Sequence, residues 1–165
     1  MDTRYANGEV CSHDKQGIEA SFACHSLNDL YQNADMVKQF IHSEIIVVEE
    51  AQFFGDLLEF VEHTVDEGQK HLIIVGLDGD VNRKPFGSIL DCIPLADSIL
   101  RLSSLCEVCA DGTDAHFTGL RSHCRMLDDS SKPDIGAAEK YLPLCRFHYL
   151  ENRNHSNING SFNAV

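Results

Sequence analysis

The apolar positions change their period along the chain, and the changes predict where the elements lie. Leu27, Leu30, Tyr31, Ala34, Val37 and Ile41 recur at three- and four-residue steps, the spacing of one face of an amphipathic helix. The next apolar run, Ile45-Ile46-Val47-Val48, is contiguous, β-branched and followed by Glu49-Glu50. Such a run suits a strand buried on both faces, as in a parallel sheet. Phe53, Phe54, Leu57, Leu58, Phe60, Val61 and Val65 return to the helical period as a broad stripe, and Gly68 reads as its C-cap. A second buried strand is expected over His71–Leu77, with Asp78-Gly79-Asp80 as the turn beyond it. Strand, helix, strand with short connections implies a right-handed parallel crossover. In open α/β sheets ligands bind at the carboxyl ends of such strands, where Glu49, Glu50 and the 78–80 turn would fall.

The rest of the pattern is less regular. Residues 84–98 mix a turn with short helical pieces, and Ile99–Leu105 alternates apolar with polar like a further strand. Beyond Cys106 the texture becomes short strands and loops, with a flexible stretch expected over Cys124–Pro133. The first twenty-five residues read as irregular, and the Asn- and Ser-rich tail after Leu150 reads as disordered.

Composition narrows the function classes. The 165 residues carry a net charge of −13, with 43% hydrophobic and 24% charged positions, ordinary for a soluble globular domain. The acidic balance argues against nucleic acid, whose phosphates need Lys and Arg clusters. No apolar run spans a bilayer and no basic-then-apolar leader opens the sequence, so a cytoplasmic, membrane-free protein is expected. An anionic ligand would need local help from backbone N–H groups, a metal ion or a few placed cations.

Seven cysteines exclude a complete intramolecular disulfide framework. Cys11, Cys24, Cys92 and Cys124 stand alone and read as ordinary thiols. By contrast, Cys106-x-x-Cys109 and Cys145-x-x-His148 form two matched knuckles with 35 residues between them. Zinc takes four ligands in a tetrahedron, and a C-x-x-C turn supplies two of them. A closed Cys3His shell has no open position for substrate, so the expected role is structural.

Two adjacent carboxylates, Glu49 and Glu50, at the tip of an apolar strand have the layout of a Walker B segment, where an acid serves Mg2+. A helix start also favours acids. The surrounding segments decide between these readings. Asp2-Thr-Arg-Tyr5, Glu50-Ala-Gln-Phe-Phe54, Leu77-Asp-Gly-Asp80, Arg83-Lys-Pro-Phe-Gly87, Ile93-Pro-Leu-Ala-Asp97, Cys106-x-x-Cys109, Gly136-Ala-Ala-Glu-Lys-Tyr141 and Cys145-Arg-x-His148-Tyr149 occur in this order. The series resembles the cellular-type (type II) thymidine kinases from Asp2 to about Tyr149.

The resemblance implies an α/β fold: a P-loop-kinase-like parallel sheet with flanking helices, plus a small zinc-ribbon lasso module. It divides the chain into a partial nucleotide-kinase core over 1–105, a zinc-binding lasso over 106–150 and the tail over 151–165. By resemblance Glu50 is the general base for the 5'-hydroxyl of deoxythymidine, and Glu49, Gln52, Asp2 and Arg4 serve Mg2+ and phosphate. Phe53, Leu77 and Phe86 would pack around the thymine ring, with Val81 where the family has an aromatic. Ile135, Gly136 and Tyr141 match the loop that closes over the nucleoside. Cys106, Cys109, Cys145 and His148 would hold the structural zinc that anchors this loop. ATP, Mg2+ and deoxythymidine are the implied ligands, and a homo-oligomer, tetrameric in the family, is the implied assembly.

One family feature is missing from the sequence. No Gly-x-x-x-x-Gly-Lys-Ser/Thr turn occurs anywhere in the 165 residues, although such a turn wraps the phosphates in P-loop kinases. In the family it and its strand precede Asp-Thr-Arg-Tyr, so the expectation is an N-terminally truncated chain, without that strand and inactive by itself. Two other readings stay open: a shortened homologue acting as a binding or oligomerisation module, and a zinc-stabilised nucleoside-binding protein.

Overall fold

The computed structural model describes residues 9–11, 17–121 and 140–160, with the side chains of 19–121 and 140–154. The chain divides into two compact units, one built on residues up to Asp78 together with Pro85–Ile99, the other on Gly79–Lys84 and Leu100 onward. All sheets among the described residues are two-stranded.

In the first unit, β1 (Glu9–Cys11) pairs antiparallel with β2 (Gly17–Glu19), Val10 opposite Ile18. The irregular start expected from the sequence therefore holds a short ladder, too brief at three residues per strand to leave a periodic signal. The helical stripe beginning at Leu27 divides in two, a 3-10 helix over Leu27–Gln32 and α1 over Ala34–His42. Asn33 makes the break: its extended backbone ends the first helix, and its side chain accepts the N–H groups of Asp35 and Met36 to cap the second.

Strand β3 (Ile45–Val48) pairs in parallel with β4 (His71–Ile74), Val47 opposite Ile73 and Val48 opposite Ile74. One face of this pair lies on the core and the other on solvent: Val48 is 5% exposed, Val47 60%. The expectation of burial on both faces is thus corrected. Ile46, Val48, Leu72 and Ile74 pack toward α2 (Leu57–Glu62) and its neighbours, while Ile45, Val47 and Ile73 have no covering layer among the described residues. The core is closed by Leu27, Phe40, Ala51, Leu57, Phe60, Val61 and Cys92.

Helix α2 is shorter than its apolar stripe, and its last turn widens to π geometry over His63–Glu67. Gly68 closes it, though not by a left-handed backbone. Its φ is −81°, and a Cβ there would meet the Thr64 carbonyl oxygen at 2.7 Å. The left-handed residue is its neighbour Gln69, at φ 52°. Residues Ile89–Leu95 form a 3-10 helix.

The second unit joins β5 (Ser104–Leu105) to β6 (Asp114–Ala115), and β7 (Phe117–Leu120) to β8 (Tyr141–Leu144), both antiparallel. The strand expected over Ile99–Leu105 forms only at its last two residues. Leu100 and Leu102 are about four-fifths exposed, so the alternation has no core to face among the described residues. Helix α3 spans Arg146–Gly160 and so runs into the stretch expected to be disordered. Cys106, Ala115, Leu144 and Tyr149 form the core of this unit.

Candidate functional site

Two constellations hold most of the described sequence-predicted residues, one in each unit. The first forms where β3 and β4 end. Val75 N–H continues the parallel ladder to the Val48 carbonyl at 2.9 Å, and Ala51 N–H returns to the Val75 carbonyl at 3.0 Å. Between them the chain turns sharply at Glu50, whose backbone is left-handed, at φ 54° and ψ 39°. That region is uncommon for a residue with a Cβ and stores strain where it occurs. The turn puts Glu49 and Glu50, both half-buried, at the carboxyl end of the strand.

Gln52 fixes this tip. It is 3% exposed, and its amide is engaged at both ends. Nε2 donates to Glu50 Oε2 at 2.6 Å, and Oε1 accepts the Leu77 N–H at 3.0 Å. The Glu50 carboxylate is therefore oriented by a buried side chain that is itself locked to the end of β4. Two glycines make room for it. A Cβ on Gly76 would strike the Gln52 amide oxygen, and one on Gly87, at φ 57°, would strike the Gln52 carbonyl oxygen. Beside the tip, Phe53 and Phe86 meet edge to face, their centroids 5.2 Å apart at 82°. Such a pair is a fixed apolar wall, and Leu77 stands half-exposed at the end of β4. The structure thus brings Glu50, Gln52 and Leu77 into one hydrogen-bonded group, with Phe53 and Phe86 paired in the same unit.

Asp2, Arg4, Ile135 and Gly136 lie outside the described residues, as does the stretch Cys124–Pro133. Tyr141 opens β8 in the second unit, half-buried, and Val81 belongs to that unit as well.

The second constellation is the Cys/His cluster. The turn after β5 carries Cys106 and Cys109, closed by Ala110 N–H on the Cys106 carbonyl at 3.0 Å. Glu107 N–H donates to the Pro143 carbonyl at 3.1 Å, tying this turn to β8, which leads into Cys145 and the first turn of α3 with His148. The four ligand atoms lie within 4.8 Å of one another. His148 Nδ1 sits 3.6, 3.3 and 3.4 Å from the sulfurs of Cys106, Cys109 and Cys145, and Cys109 and Cys145 are 3.8 Å apart.

These separations test the fit of a metal. A tetrahedron with Zn–S of about 2.3 Å and Zn–N of about 2.0 Å has S···S edges near ~3.8 Å and S···N edges near ~3.5 Å. Hydrogen-bonded thiols have no reason to adopt that figure. The electrostatics agree with it. Burial opposes the Cys106 thiolate, but backbone N–H groups of Cys145, Cys109 and Val108, together with His148, bring the thiol down to about 6. Burial and the neighbouring Cys106 sulfur push Cys109 up to about 11, so that a thiolate on Cys106 disfavours one on Cys109. This group can hold a metal ion.

Sequence reasoning missed the supports rather than the ligands. The clamp at Gln52, the room left by Gly76 and Gly87, and the Tyr149 hydroxyl on the Val81 carbonyl at 2.8 Å each depend on residues distant in sequence. The only advance signal was glycine at positions 76 and 87.

Comparison with known proteins adds a family. A family model described as thymidine kinase matches residues 1–149. "Thymidine kinase a" of Arabidopsis thaliana is 43% identical over 153 residues, covering 92% of this chain and 60% of the relative. The thymidine kinase of Oryza sativa subsp. japonica is 38% identical over 152 residues, 91% of this chain and 52% of the relative. The cytosolic thymidine kinase of Gallus gallus is 38% identical over 152 residues, 92% of this chain and 61% of the relative. The chain therefore spans between about half and three-fifths of the length of these relatives. No helix among the described residues is long and apolar enough to cross a membrane.

Proposed function

The chain belongs to the thymidine kinase family, and on that premise we propose that its strand-tip site serves transfer of the ATP γ-phosphate to the 5'-hydroxyl of deoxythymidine. The observation that carries this is the Glu50 carboxylate, held at 2.6 Å by buried Gln52 in the unit that also pairs Phe53 with Phe86. In this reading Phe53, Phe86 and Leu77 hold the thymine ring and Glu50 faces the sugar hydroxyl. Glu50 takes the hydroxyl proton as O5' forms its bond to the γ-phosphorus and the bond to the ADP oxygen breaks. Positioning is most of the work in such a transfer, and a base locked at one oxygen by a buried amide is pre-positioned. Glu49 would lie on the Mg2+ side, and bound Mg2+ would neutralise phosphate charge.

We read the parent architecture as P-loop-kinase-like, with a zinc-ribbon module carrying Ile135, Gly136 and Tyr141 over the nucleoside. Zinc(II) at Cys106, Cys109, Cys145 and His148 fits the tetrahedral edges given above and would supply structure only. Asp2 and Arg4 would serve the phosphates, in an assembly of several copies.

One observation favours a second reading for these 165 residues on their own. Their sequence contains no glycine-rich phosphate turn, and without that cradle γ-phosphate is poorly held. On this reading the chain alone binds nucleoside, and transfer belongs to a polypeptide that also supplies the turn. Calorimetry of the zinc-loaded chain with thymidine, paired with labelled-phosphate transfer from ATP, tests both. Binding without transfer favours the second reading and transfer the first. No thymidine binding at millimolar concentration would sink the site assignment itself.

A further inference from the structure

Between Leu77 and Phe86, two residues of the proposed nucleoside wall, the chain leaves the first unit for six residues. Gly79–Lys84 belong to the compact unit that contains the Cys/His cluster. The excursion is a hairpin with a closed neck: Phe86 N–H donates to the Asp78 carbonyl at 3.3 Å, and Asp80 N–H to the Lys84 carbonyl at 2.9 Å. Asp80 Oδ1 accepts the N–H groups of Asn82 and Lys84, both at 2.8 Å, and Arg83 takes a left-handed backbone at φ 61°.

The hairpin tip is held from outside chiefly through Tyr149. Tyr149 is 3% exposed and donates its hydroxyl to the Val81 carbonyl at 2.8 Å. The Arg83 guanidinium lies 5.0 Å from the same ring and 5.8 Å from the Phe117 ring beside it. Tyr149 also sits in the first turn of α3, its N–H on the Cys145 carbonyl at 2.9 Å, next to His148. A buried tyrosine hydroxyl needs a partner, and here that partner is the hairpin. The ring is fixed by the turn that bears two of the four potential metal ligands.

We propose that Tyr149 is a positioning residue: it fastens the Gly79–Lys84 hairpin to the metal-bearing turn of the same unit, so that metal occupancy sets how firmly the hairpin tip is held. The tether stands on geometry within one unit and is independent of the function proposed above. The Arg83–Lys84 bond lies in this exposed tip and reports on it directly. Limited trypsin digestion of the full chain is followed by mass, scoring that bond alone, for the zinc-loaded protein, the chelator-stripped protein and zinc-loaded Tyr149→Phe. The expected result is slow cleavage in the loaded wild type and at least fivefold faster cleavage after stripping. Loaded Tyr149→Phe is expected to cleave at least fivefold faster too, while still holding one zinc per chain. Equal cleavage with and without zinc, or wild-type protection in Tyr149→Phe, would overturn the tether. So would loss of zinc from that variant, since the hydroxyl would then serve the cluster's own fold.

Discussion

The strand tip at Glu50 and the cluster at Cys106, Cys109, Cys145 and His148 are two answers to one problem, holding a few polar groups in fixed geometry. At the tip the backbone does the holding. Glu50 is left-handed, Gln52 is pinned to Leu77, and Gly76 and Gly87 leave the space, so the functional groups are consequences of packing. At the cluster the side chains do the holding. Ligands from two turns meet around a common centre, in a unit whose buried core among the described residues is Cys106, Ala115, Leu144 and Tyr149. The first region should tolerate loss of any one polar contact and fail gradually. The second should be all or none, because a small core cannot stand without its staple.

The contrast is broken most directly at the cluster. Cys145→Ser should abolish zinc binding and unfold the second unit, since coordination in small zinc-dependent folds is worth about 10–16 kcal/mol near pH 7. Metal content and near-UV dichroism check this, and one tightly held zinc with an unchanged melting curve would refute it.

At the tip, Glu50→Gln should leave the fold intact, because the amide can still accept the hydrogen bond from Gln52. Phosphate transfer, measured in a polypeptide that also carries a phosphate turn, should fall about 10²–10⁴-fold with thymidine affinity nearly unchanged. A parallel fall in affinity would mean that Glu50 binds rather than takes a proton.

Gly87→Ala asks whether the tip truly depends on backbone space. A Cβ there meets the Gln52 carbonyl oxygen and occupies φ 57°, which should cost about 2–3 kcal/mol in urea unfolding. A neutral result would show that Gln52 can move.

The smallest effect separates the regions by pH. Asp56 accepts the Ser26 hydroxyl at 2.6 Å and the Asn28 N–H at 2.9 Å, capping the Leu27–Gln32 helix from thirty residues away. Burial raises its carboxyl, but these bonds, with those from the Leu27 and Asp56 N–H groups, outweigh that and hold it below the ordinary 3.8. A carboxyl lowered on folding contributes stability that is complete above its unfolded value and lost as pH falls through the folded one. Ser26→Ala should therefore cost about 1 kcal/mol at pH 7 and less once the pH has fallen below 3.8 and through the lowered carboxyl. Asp56→Asn should flatten the acid limb of the first unit's melting curve. Urea titrations at several pH values check both.

The same contrast explains what the sequence could reveal. The knuckles were legible because spacing specifies them: the four ligands stand in two pairs with two residues inside each, and the atoms meet within 4.8 Å. The apolar runs at 45–48 and 71–77 were legible as strands, being short and rich in β-branched residues, although the second strand ends at Ile74. That one face of the pair is solvated was not legible, because an apolar run records what a face prefers and not what covers it. The 3-10 break at Asn33, the π turn at His63–Glu67 and the short β1–β2 ladder escaped for a related reason, each being a backbone matter with little side-chain signature. Glu50 itself was visible as an acid at a strand end, while its orientation by Gln52 depends on a contact with Leu77 that no local pattern encodes.

The left-handed turn at Glu50 also sets two pressures on that position against each other. A backbone at φ 54° is more comfortable for glycine or asparagine than for glutamate. A laboratory selection rewarding heat tolerance alone would be expected to drift position 50 toward those residues, gaining robustness while discarding the carboxylate. Breeding a sturdier variant would therefore call for a screen that also reads nucleoside chemistry at every round.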